Sequence, residues 1–429
     1  IAKLSLWLAE HQMNKYFESQ LKQGKSKPIL PLKASGNITQ ANATRVDWEQ
    51  VCPKEKDDEI YLLGNPPFAG QKKQNKNQKG DMKHLFFGKT NYKTLDYVSC
   101  WFLKGSYYLE KNNRLGFVST NSICQGNQVG LLWPSIFRNG VIEICFAIPN
   151  FKWSNNAKGN AGVTCSIIGL QQVNNNCQKL IYTDVSLIKA SNINAYLTDG
   201  INIIVQKSRL VLSKLPKMVS GNMALDDGHL MLTEKEKIDT INKYPESIKF
   251  IRETTGANEF IKGLKRYCLW IENDELKEAL KIPFIDERVK ACKEFRKNGG
   301  EVARTLVDRS HQFRYRHEAK KSQIIVPLTS SERRDYIPIG FLDESIVIQQ
   351  SAQVLYDPEP FVFGVINSKM HMSWIDAVGG KLETRYSYSV GICYNTFPFP
   401  DISKVKKANI EENVFAVLEE REKHPEKTM

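Results

Sequence analysis

The chain contains the sequence Ile60-Tyr61-Leu62-Leu63-Gly64-Asn65-Pro66-Pro67-Phe68, from which its fold class can be inferred. The apolar run 60–63 predicts a buried β-strand, and the residues after it cannot extend a sheet because proline has no backbone N–H to donate. The chain must therefore leave the sheet after Gly64. In open α/β sheets ligands bind where strands end, so this stretch predicts an α/β fold with a site beside Asn65.

The four residues after the predicted strand combine two hydrogen-bond acceptors with a ring. The Asn65 side chain and the Pro66 carbonyl both accept, while proline offers no competing N–H. Two acceptors followed by the Phe68 ring suit a planar amine that is held by its hydrogens and stacked on its face, and the exocyclic amine of adenine is such a group. A proline-rich turn that only closes a strand remains the alternative.

Length and charge predict a folded protein with a polyanionic partner. The chain of 429 residues has room for two or three domains, and its 41% hydrophobic and 25% charged residues are ordinary for a folded protein. The formal net charge of +13 favours nucleic acid as the partner, although many basic proteins bind none. Because the first residue is Ile1 instead of methionine, we expect an N-terminal portion to be missing.

The cysteines and histidines predict neither disulfides nor a metal site. Nine cysteines is an odd number, no CxxC pair occurs, and no two of the seven histidines form an HxxxH pair. No apolar run reaches the length of a transmembrane helix, and no signal-peptide pattern opens the chain. We therefore expect a protein of the reducing cytoplasm, with no structural metal and no membrane contact.

Predicted strands and helices alternate over residues 1–173. Strands are predicted at 115–119, 141–147 and 161–170, and a helix at 95–109. This alternation predicts a largely parallel sheet with helices on both faces, which is a partial doubly wound, Rossmann-like α/β core.

A polar, Asn-rich stretch at 171–179 indicates a domain boundary. Beyond it the periodicity becomes irregular, so residues 174–400 predict a mixed α+β domain. Residues 401–429 are charged and predict a peripheral C-terminal helix with a frayed tail. Within the second domain a helix is predicted near 284–297, with an apolar face formed by Ile285, Val289, Cys292 and Phe295.

Residues 281–321 form the most basic segment, with twelve Lys or Arg against six Asp or Glu and thus a local net charge of +6. A charge run of this kind is often only a solvated face. Here the basic residues are interspersed with aromatic ones such as Phe295, Phe313 and Tyr315, which favours contact with phosphate groups.

A series of short motifs spans residues 64–398: Gly64–Phe68, Asp96–Val98 with Trp101, Phe117–Ile123 with Gln125-Gly126, Phe151–Asn155, Ala161–Gly169, Ser331–Arg334 with Tyr336–Phe341, Met370–Trp374 and Tyr394–Pro398. Their order resembles the MmeI-like group of gamma-class adenine-specific DNA methyltransferases, which are fused type II restriction–modification enzymes. Any one motif is a weak signal, whereas the order is a strong one. The resemblance implies a methyltransferase core followed by a DNA target-recognition domain.

The resemblance also implies a catalytic motif, Asn65, Pro66, Pro67 and Phe68, beside bound S-adenosylmethionine. The adenine amine is a poor nucleophile because its lone pair is delocalised into the ring. Hydrogen bonds from its hydrogens to the Asn65 side chain and the Pro66 carbonyl would localise that lone pair. The target base would be flipped out of the duplex and stacked on Phe68.

Five further residues are implied as ligand contacts. Phe151 or Trp153 would close the other face of the flipped base, unless both are ordinary core aromatics. Asp96 corresponds to a position that lines the cofactor, and Asn42 or Asp47 lies in the region that meets its adenine. For an exposed Asp, helix capping alone is the alternative. The absence of a Pro-Cys dipeptide argues against methylation of the cytosine ring.

The Gly-rich loop that cradles the cofactor in gamma-class enzymes has no match in this chain. Residues 1–14 resemble the helix that follows the acidic ribose-binding strand. We therefore expect the cofactor loop and the nuclease of the fused enzymes in N-terminal segments of the same full-length protein. The 429 residues alone are expected to be inactive.

The segment Lys381-Leu382-Glu383-Thr384-Arg385 is the predicted base-reading element of the recognition domain. Glu accepts from the cytosine amine and Arg donates to guanine, so Glu383 and Arg385, on one face if extended, would read one C·G pair. A surface ion pair of little energetic value is the alternative. Lys381 is also expected at the DNA, and Arg333 and Arg334 are expected to contact phosphates or bases.

The sequence therefore predicts S-adenosylmethionine-dependent methylation of the exocyclic amine of adenine in a specific double-stranded DNA sequence, as part of a restriction–modification system. A non-catalytic DNA-recognition fragment of such an enzyme is the alternative. A methyltransferase for RNA or for protein glutamine is a third possibility, because those enzymes also use Asn-Pro-Pro-aromatic. The recognised site, the methylated strand and the oligomeric state do not follow from the sequence.

Overall fold

The computed structural model describes residues 2–21, 38–55, 57–89, 91–153, 163–399, 401–424 and 427–428. Part of the Phe151–Asn155 motif and the start of the Ala161–Gly169 motif lie outside these residues. The chain forms two compact units, which comprise residues 1–123, 131–152 and 165–202, and residues 124–130, 153–164 and 203–429.

The first unit is built around a six-stranded sheet. Its helices are α1 (Ala2–Leu21), α2 (Trp48–Val51), α3 (Lys76–Leu85), α4 (Ser99–Tyr108) and α5 (Gly126–Phe137), the first turn of which belongs to the second unit. Its strands are β1 (Tyr61–Gly64), β2 (Arg114–Thr120), β3 (Ile142–Trp153), β4 (Val163–Gln172), β5 (Lys179–Tyr182) and β6 (Leu187–Ala190).

The strand order β1-β2-β4-β3-β5-β6 confirms an α/β core, but the prediction of a largely parallel sheet was wrong. Strand β1 runs parallel to β2, and β3 runs parallel to β5. Strand β4 runs antiparallel to β2, and β6 runs antiparallel to β5. Strands β5 and β6 extend this sheet beyond residue 173, and the domain limits at 173 and 400 stay predictions.

Strand β1 is the strand that carries the site, and its predicted burial was wrong. Tyr61 is 54% exposed and Leu63 is 79% exposed. The physical reason is position: β1 is the edge strand of the sheet and pairs with β2 on one side only. Because that pair is parallel, with Gly64 opposite Phe117, the two strands end at the same edge of the sheet.

Helix α4 forms the core against β2. Phe102 and Leu103 are buried, and the Phe102 ring meets the Phe117 ring edge-on with a centroid distance of 5.6 Å. Gly105 is required for this close packing, because a Cβ there would lie 2.2 Å from Leu115 Cδ1. The packing fixes β2, and through β2 it fixes the end of β1.

The second unit is a mixed α+β domain, as predicted. Its sheets have the orders β14-β9-β10-β8, β13-β11-β15-β7 and β12-β17-β16. The strands are β7 (Val219–Ser220), β8 (Met231–Leu232), β9 (Ile251–Thr255), β10 (Tyr267–Leu269), β11 (Ser322–Pro327), β12 (Thr329–Ser330), β13 (Gly340–Asp343), β14 (Val347–Ile348), β15 (Ala352–Tyr356), β16 (Gly380–Leu382) and β17 (Arg385–Ser387). The helices are α6 (Glu234–Lys243), α7 (Ala257–Lys262), α8 (Leu276–Ala279), α9 (Pro283–Asn298), α10 (Glu301–Arg304), α11 (Pro360–Ile366), α12 (Lys369–Val378) and α13 (Lys404–Glu422).

Helix α13 confirms a helix in the C-terminal stretch; most of its residues are exposed, and a few contacts hold it to the rest of the second unit. Val414 is buried in the core of the second unit. Gly364 of α11 faces α13 so closely that a Cβ there would lie 2.7 Å from Ile410 Cγ2. Arg421 donates a hydrogen bond of 2.8 Å to the Ile339 carbonyl.

Helix α9 confirms the predicted apolar face, since Ile285, Val289 and Cys292 are buried and Phe295 is half-buried. It also buries Arg296, which the sequence placed in a segment facing phosphate. The Arg296 guanidinium donates hydrogen bonds of 2.8–3.1 Å to five backbone carbonyls, those of Ala224, Leu225, Leu306, Arg309 and Gln312. Arg296, one of the twelve basic residues in 281–321, therefore stabilises the fold and is not available to contact phosphate.

Two further observations concern metal sites and membranes. All nine cysteines are free thiols, and in the described part of the chain no group of three or more His, Cys, Asp or Glu side chains is arranged to hold a metal ion. Among the helices listed above, none has both the length and the apolar composition needed to span a bilayer.

We predict that Arg296→Met lowers the free energy of unfolding by about 3–5 kcal/mol, because it leaves buried carbonyls without donors. Lys297→Met on the same helix is the matched control, since Lys297 is exposed and its ammonium pairs with the exposed Glu294. Urea denaturation of both variants measures the difference. Equal stabilities of the two variants would contradict the role given to Arg296.

Candidate functional site

The Asn-Pro-Pro-Phe motif directly follows β1, as predicted. Asn65 and Pro67 are exposed, Pro66 is buried and Phe68 is half-buried. Within the described part of the chain, neither the Asn65 side chain nor the Pro66 carbonyl makes a hydrogen bond. Neither acceptor is therefore committed to a hydrogen-bond partner within these residues.

The loop that carries these acceptors is held at its far end by buried side chains. We call residues 65–69 the acceptor loop. The Asp96 carboxylate accepts a hydrogen bond of 3.0 Å from the Ala69 N–H. The Ala69 carbonyl accepts from the Tyr97 N–H at 3.0 Å and from Gln74 Nε2 at 2.9 Å. Gln74 Nε2 also donates to the Leu95 carbonyl at 2.9 Å. The backbone after Phe68 is thus fixed on both sides.

Asp96, predicted from the resemblance to line the cofactor, lies behind the acceptor loop in a buried position. Burial raises the pKa of its carboxyl group, and hydrogen bonds from the Ala69 and Val98 amides and the Thr120 hydroxyl oppose that rise. Thr120 is the last residue of β2, and its Oγ1 lies 3.4 Å from Asp96 Oδ2. Asp96 therefore joins the far end of the acceptor loop to the end of β2.

Asn42 and Asp47, the other predicted cofactor contacts, are exposed. Asn42 Oδ1 accepts hydrogen bonds from the Thr44 N–H at 3.0 Å and the Thr44 hydroxyl at 2.8 Å. Asp47 caps the N-terminus of α2 by accepting from the Glu49 N–H at 3.0 Å. The capping alternative is therefore realised for Asp47, and a contact of either residue with a cofactor stays a prediction.

Asp81 is a residue of this site that the sequence interpretation missed. Its carboxylate accepts hydrogen bonds from Asn42 Nδ2 at 3.1 Å, Arg45 Nε at 2.7 Å and the Tyr97 hydroxyl at 2.7 Å. Burial raises the pKa of Asp81, but these three bonds outweigh burial and hold it below its usual value. Asp81 thus ties the turn that carries Asn42 to the residue next to Asp96.

The signal for this helix was present in the sequence. Asp81 lies on α3, within the polar stretch 71–83, whose composition predicts an exposed loop or a frayed helix. Asn75 and Gln78 form a capping box at the start of α3, in which each side chain accepts from the backbone N–H of the other. Asn followed by Gln three residues later is a helix-start signature.

Phe151 and Trp153 occupy alternate positions near the end of β3, and both are half-buried. Asn150, the residue before Phe151, accepts a hydrogen bond of 3.0 Å from Asn121 Nδ2. Asn121 directly follows Thr120 at the end of β2. The structure therefore brings the backbone at Phe151 to the edge of the sheet where β1 and β2 end.

Glu383 lies in the turn of a β-hairpin and Arg385 directly follows that turn, so the segment is not extended throughout, which was the condition for placing both side chains on one face. Strands β16 and β17 form this 380–387 hairpin, with Leu382 opposite Arg385 and a two-residue turn at Glu383-Thr384. Glu383 adopts the left-handed conformation with φ of 60°. Arg385 Nη2 lies 3.2 Å from Glu383 Oε2, with the side chains 47% and 73% exposed. The ion pair exists, and its exposure leaves both groups accessible.

Lys381 lies at the base of the hairpin. Its Nζ pairs with Asp376 Oδ1 at 3.0 Å and lies 5.3 Å from the centroid of the Tyr386 ring. Lys381 therefore stabilises the hairpin, whereas Glu383 and Arg385 project from its turn.

Arg333 and Arg334 lie in the loop after β12, the strand that pairs with β17 through Ser330 and Tyr386. Ser331 shapes this loop: its Oγ accepts from the Arg333 N–H at 3.2 Å, and its carbonyl accepts from the Arg334 N–H at 3.3 Å. Arg333 is exposed and Arg334 is half-buried.

Glu332, in the same loop, was not among the predicted site residues. A hydrogen bond from its own backbone amide, another from Thr384, and the charges of Arg333 and Arg385 lower the pKa of Glu332. The structure thus brings the 331–334 loop and the hairpin turn together as one charged, exposed surface. Its place in the Ser331–Arg334 motif was the available signal in the sequence.

Comparison with known families matches both parts of the chain. The model of the MmeI DNA-methyltransferase domain matches residues 1–183, and that of the MmeI target recognition domain matches residues 199–401. DNA methyltransferase A of Bacillus subtilis (strain 168) is 43% identical over 424 residues, which cover 98% of this chain and 48% of that protein.

Among solved structures, the type IIL restriction–modification enzyme MmeI in complex with DNA is similar over 99% of this chain. The TM-score is 0.83, the sequence identity is 38%, and the match covers 57% of the MmeI chain. The present chain thus spans about half the length of the relatives it matches.

We predict that Gln74→Leu lowers the free energy of unfolding by about 1–3 kcal/mol, because the buried Leu95 carbonyl loses its donor. It should also speed hydrogen exchange at the Tyr97 amide, which shares the Ala69 carbonyl with Gln74. Gln50→Leu is the control, since Gln50 is exposed on α2. Unchanged stability and unchanged exchange in Gln74→Leu would contradict the role of Gln74 in holding the acceptor loop.

Proposed function

The chain belongs to the MmeI family of DNA methyltransferases, and from this premise we propose that it takes part in S-adenosylmethionine-dependent methylation of the exocyclic amine of adenine in a specific double-stranded DNA sequence. The enzyme would serve a restriction–modification system. The observation that carries the proposal is the pair of unbonded acceptors, the Asn65 side chain and the Pro66 carbonyl, on a loop that is otherwise held in place.

The two acceptors account for the activation of the amine. When its hydrogens are bonded to Asn65 Oδ1 and the Pro66 carbonyl, the nitrogen lone pair is drawn out of conjugation and positive charge develops beside two fixed dipoles. Dipoles that are placed before the reaction stabilise that charge without reorganisation. S-adenosylmethionine, when bound, supplies an electrophilic methyl group, and holding the amine in line with it lowers the barrier further.

The aromatic residues Phe68, Phe151 and Trp153 are proposed to stack on the target adenine. An adenine inside a duplex cannot reach this loop, so the base is flipped out, and Phe68 offers its half-buried ring as a stacking surface. Phe151 and Trp153 are proposed for the opposite face. Pro67 restricts the backbone between the acceptors and the ring.

This chain holds only some of the residues proposed to contact the cofactor. Asn42, Asp47 and Asp96 are proposed to face S-adenosylmethionine, and each already holds part of the surrounding backbone. Because the relatives are about twice as long, we propose that the cofactor loop and a nuclease lie in N-terminal segments of the full-length protein. Free cysteines throughout support a cytoplasmic location.

The second unit is proposed to read the DNA sequence. Glu383 and Arg385 project from an exposed turn and have the acceptor and donor groups that suit a C·G pair. Arg333 and Arg334, in the adjacent loop, and Lys381, at the base of the hairpin, are proposed to contact phosphates or bases. The net charge of +13 supports binding to a polyanion.

A non-catalytic DNA-recognition fragment is the second candidate function. It is favoured by one observation, namely that the three predicted cofactor contacts hydrogen-bond within the chain. Equilibrium dialysis of these 429 residues with S-adenosylmethionine tests this candidate, since tight binding would contradict both it and the placement of the cofactor loop outside this chain. The comparisons are with DNA enzymes, so they lend no support to an RNA or protein-glutamine substrate.

We predict that Asn65→Ala in the intact protein abolishes methyl transfer, because the amine loses one of its two acceptors, while the Kd for DNA changes less than about threefold. Transfer of a radioactive methyl group from S-adenosylmethionine to DNA measures the first quantity, and a gel-shift titration measures the second. Asn112→Ala, at an exposed loop position in the same unit, is the control. Methylation by Asn65→Ala at the wild-type rate would overturn the assignment.

We predict that Arg385→Ala weakens discrimination at one G·C pair by about 1–3 kcal/mol, the worth of a bidentate contact with guanine. The stability of the protein should change by less than about 1 kcal/mol, because the ion pair with Glu383 is exposed. Competition binding with duplexes that differ at single base pairs measures the discrimination. Loss of affinity for all duplexes alike would instead assign Arg385 to a phosphate.

A further inference from the structure

Gln125-Gly126 is a motif that the proposed function leaves without a role. The two residues follow the turn Asn121–Cys124, which itself directly follows β2. Although they lie in the part of the chain matched by the methyltransferase model, residues 124–130 belong to the second compact unit. The chain therefore enters the unit that carries the 380–387 hairpin only a few residues after Thr120.

Gln125 contacts the hairpin through its side chain. Gln125 Oε1 accepts a hydrogen bond of 3.2 Å from the Lys381 N–H, at a partly buried position. Lys381 is the middle residue of β16 and lies two positions before Glu383. The contact thus fixes the backbone from which the proposed base-reading side chains extend.

Gly126 allows this contact to form. Its φ is +51°, a conformation that residues with a Cβ rarely adopt. A Cβ on Gly126 would lie 3.2 Å from the Gly380 nitrogen and 3.3 Å from Gly380 Cα, where it would meet backbone atoms with little freedom to move. A glycine is therefore required for both the backbone conformation and the close approach.

The same segment is also fixed on the side of β2. The buried Trp133 indole donates a hydrogen bond of 2.8 Å to the Ile123 carbonyl, which holds α5 to the turn. The Ser122 and Thr120 hydroxyls lie 2.8 Å apart, and Thr120 hydrogen-bonds to Asp96. Hydrogen bonds thus join Asp96, which holds the acceptor loop, to Thr120 and Thr120 to Ser122, and Gln125 follows Ser122 by three residues.

We propose that Gln125 and Gly126 are positioning residues that couple sequence recognition at the 380–387 hairpin to methyl transfer at Asn65. The proposal rests on the proposed function. Both contacts are made to backbone atoms of Gly380 and Lys381, so the side chains at the hairpin turn can differ without loss of the coupling. The coupling makes methyl transfer at Asn65 depend on the position of the hairpin backbone at Gly380 and Lys381.

Three variants of the intact protein test the proposal. Gln125→Leu removes the acceptor, Gln125→Glu keeps an acceptor oxygen, and Gly126→Ala introduces the Cβ. The site methylated by the wild type is first identified by single-molecule sequencing of DNA from an expressing host. Methylation rate and Kd are then measured on a duplex with that site, and thermal unfolding is measured in parallel.

We expect Gln125→Leu and Gly126→Ala to lower kcat at least about tenfold, since a misplacement of about 1 Å can cost on the order of 100-fold in rate. The Kd for DNA should stay within about threefold, because phosphate contacts supply most of the affinity. Gln125→Glu should recover most of kcat. A duplex with 2-aminopurine at the target adenine should show less fluorescence with the Leu and Ala variants, because less of the base is flipped out.

Several results would overturn the proposal. These are wild-type kcat and fluorescence in Gln125→Leu, a loss of kcat that Gln125→Glu does not relieve, or a loss that parallels a lower Tm and thus reflects folding alone. The proposed function fails separately: if the wild-type protein methylates no adenine, that function is wrong, whatever the variants do.

Discussion

Two hydrogen-bond acceptors must stay unbonded at the end of β1 while the backbone that carries them stays fixed, and the rest of the structure depends on this constraint. Buried polar groups normally form hydrogen bonds within the protein, and an acceptor that is bonded in this way is not available to a ligand. Here Asn65 is exposed, and the Pro66 carbonyl has no partner among the described residues. Proline at 66 and 67 removes two N–H groups and limits backbone rotation. The acceptors thus lack partners among the described residues and lie on a backbone of restricted freedom.

Rigidity comes from the residues after the acceptors. Asp96 and Gln74 hold Ala69, and Asp81 holds Tyr97 beside Asp96. Burying the Asp96 carboxylate is unfavourable, as its raised pKa indicates, and two backbone amides offset that cost. The 380–387 hairpin follows the same plan, because its backbone is held at Lys381 while Glu383 and Arg385 remain exposed. In both places fixed backbone presents accessible polar groups.

The sequence predicted those features that depend on local chemistry. The loop at Asn65 was predicted because Pro66 and Pro67 cannot extend a sheet, and the buried face of α9 was predicted from the helical spacing of its apolar residues. Features that depend on distant residues were missed or wrong. Exposure of β1 reflects its place at the sheet edge, and the tie at Arg296 needs carbonyls some 70 residues away. The turn between Glu383 and Arg385 was not predicted, because Glu383 adopts the left-handed conformation that glycine usually signals and the sequence has no glycine there.

We propose that the end of β1 receives the amine of an extruded adenine. A crystal structure of the intact protein with a duplex containing its recognition site would show whether it does. We expect the adenine N6 within about 3 Å of both Asn65 Oδ1 and the Pro66 carbonyl oxygen, with the ring stacked on Phe68. A flipped base bound elsewhere, or an Asn65 side chain turned away and bonded to the protein itself, would contradict it.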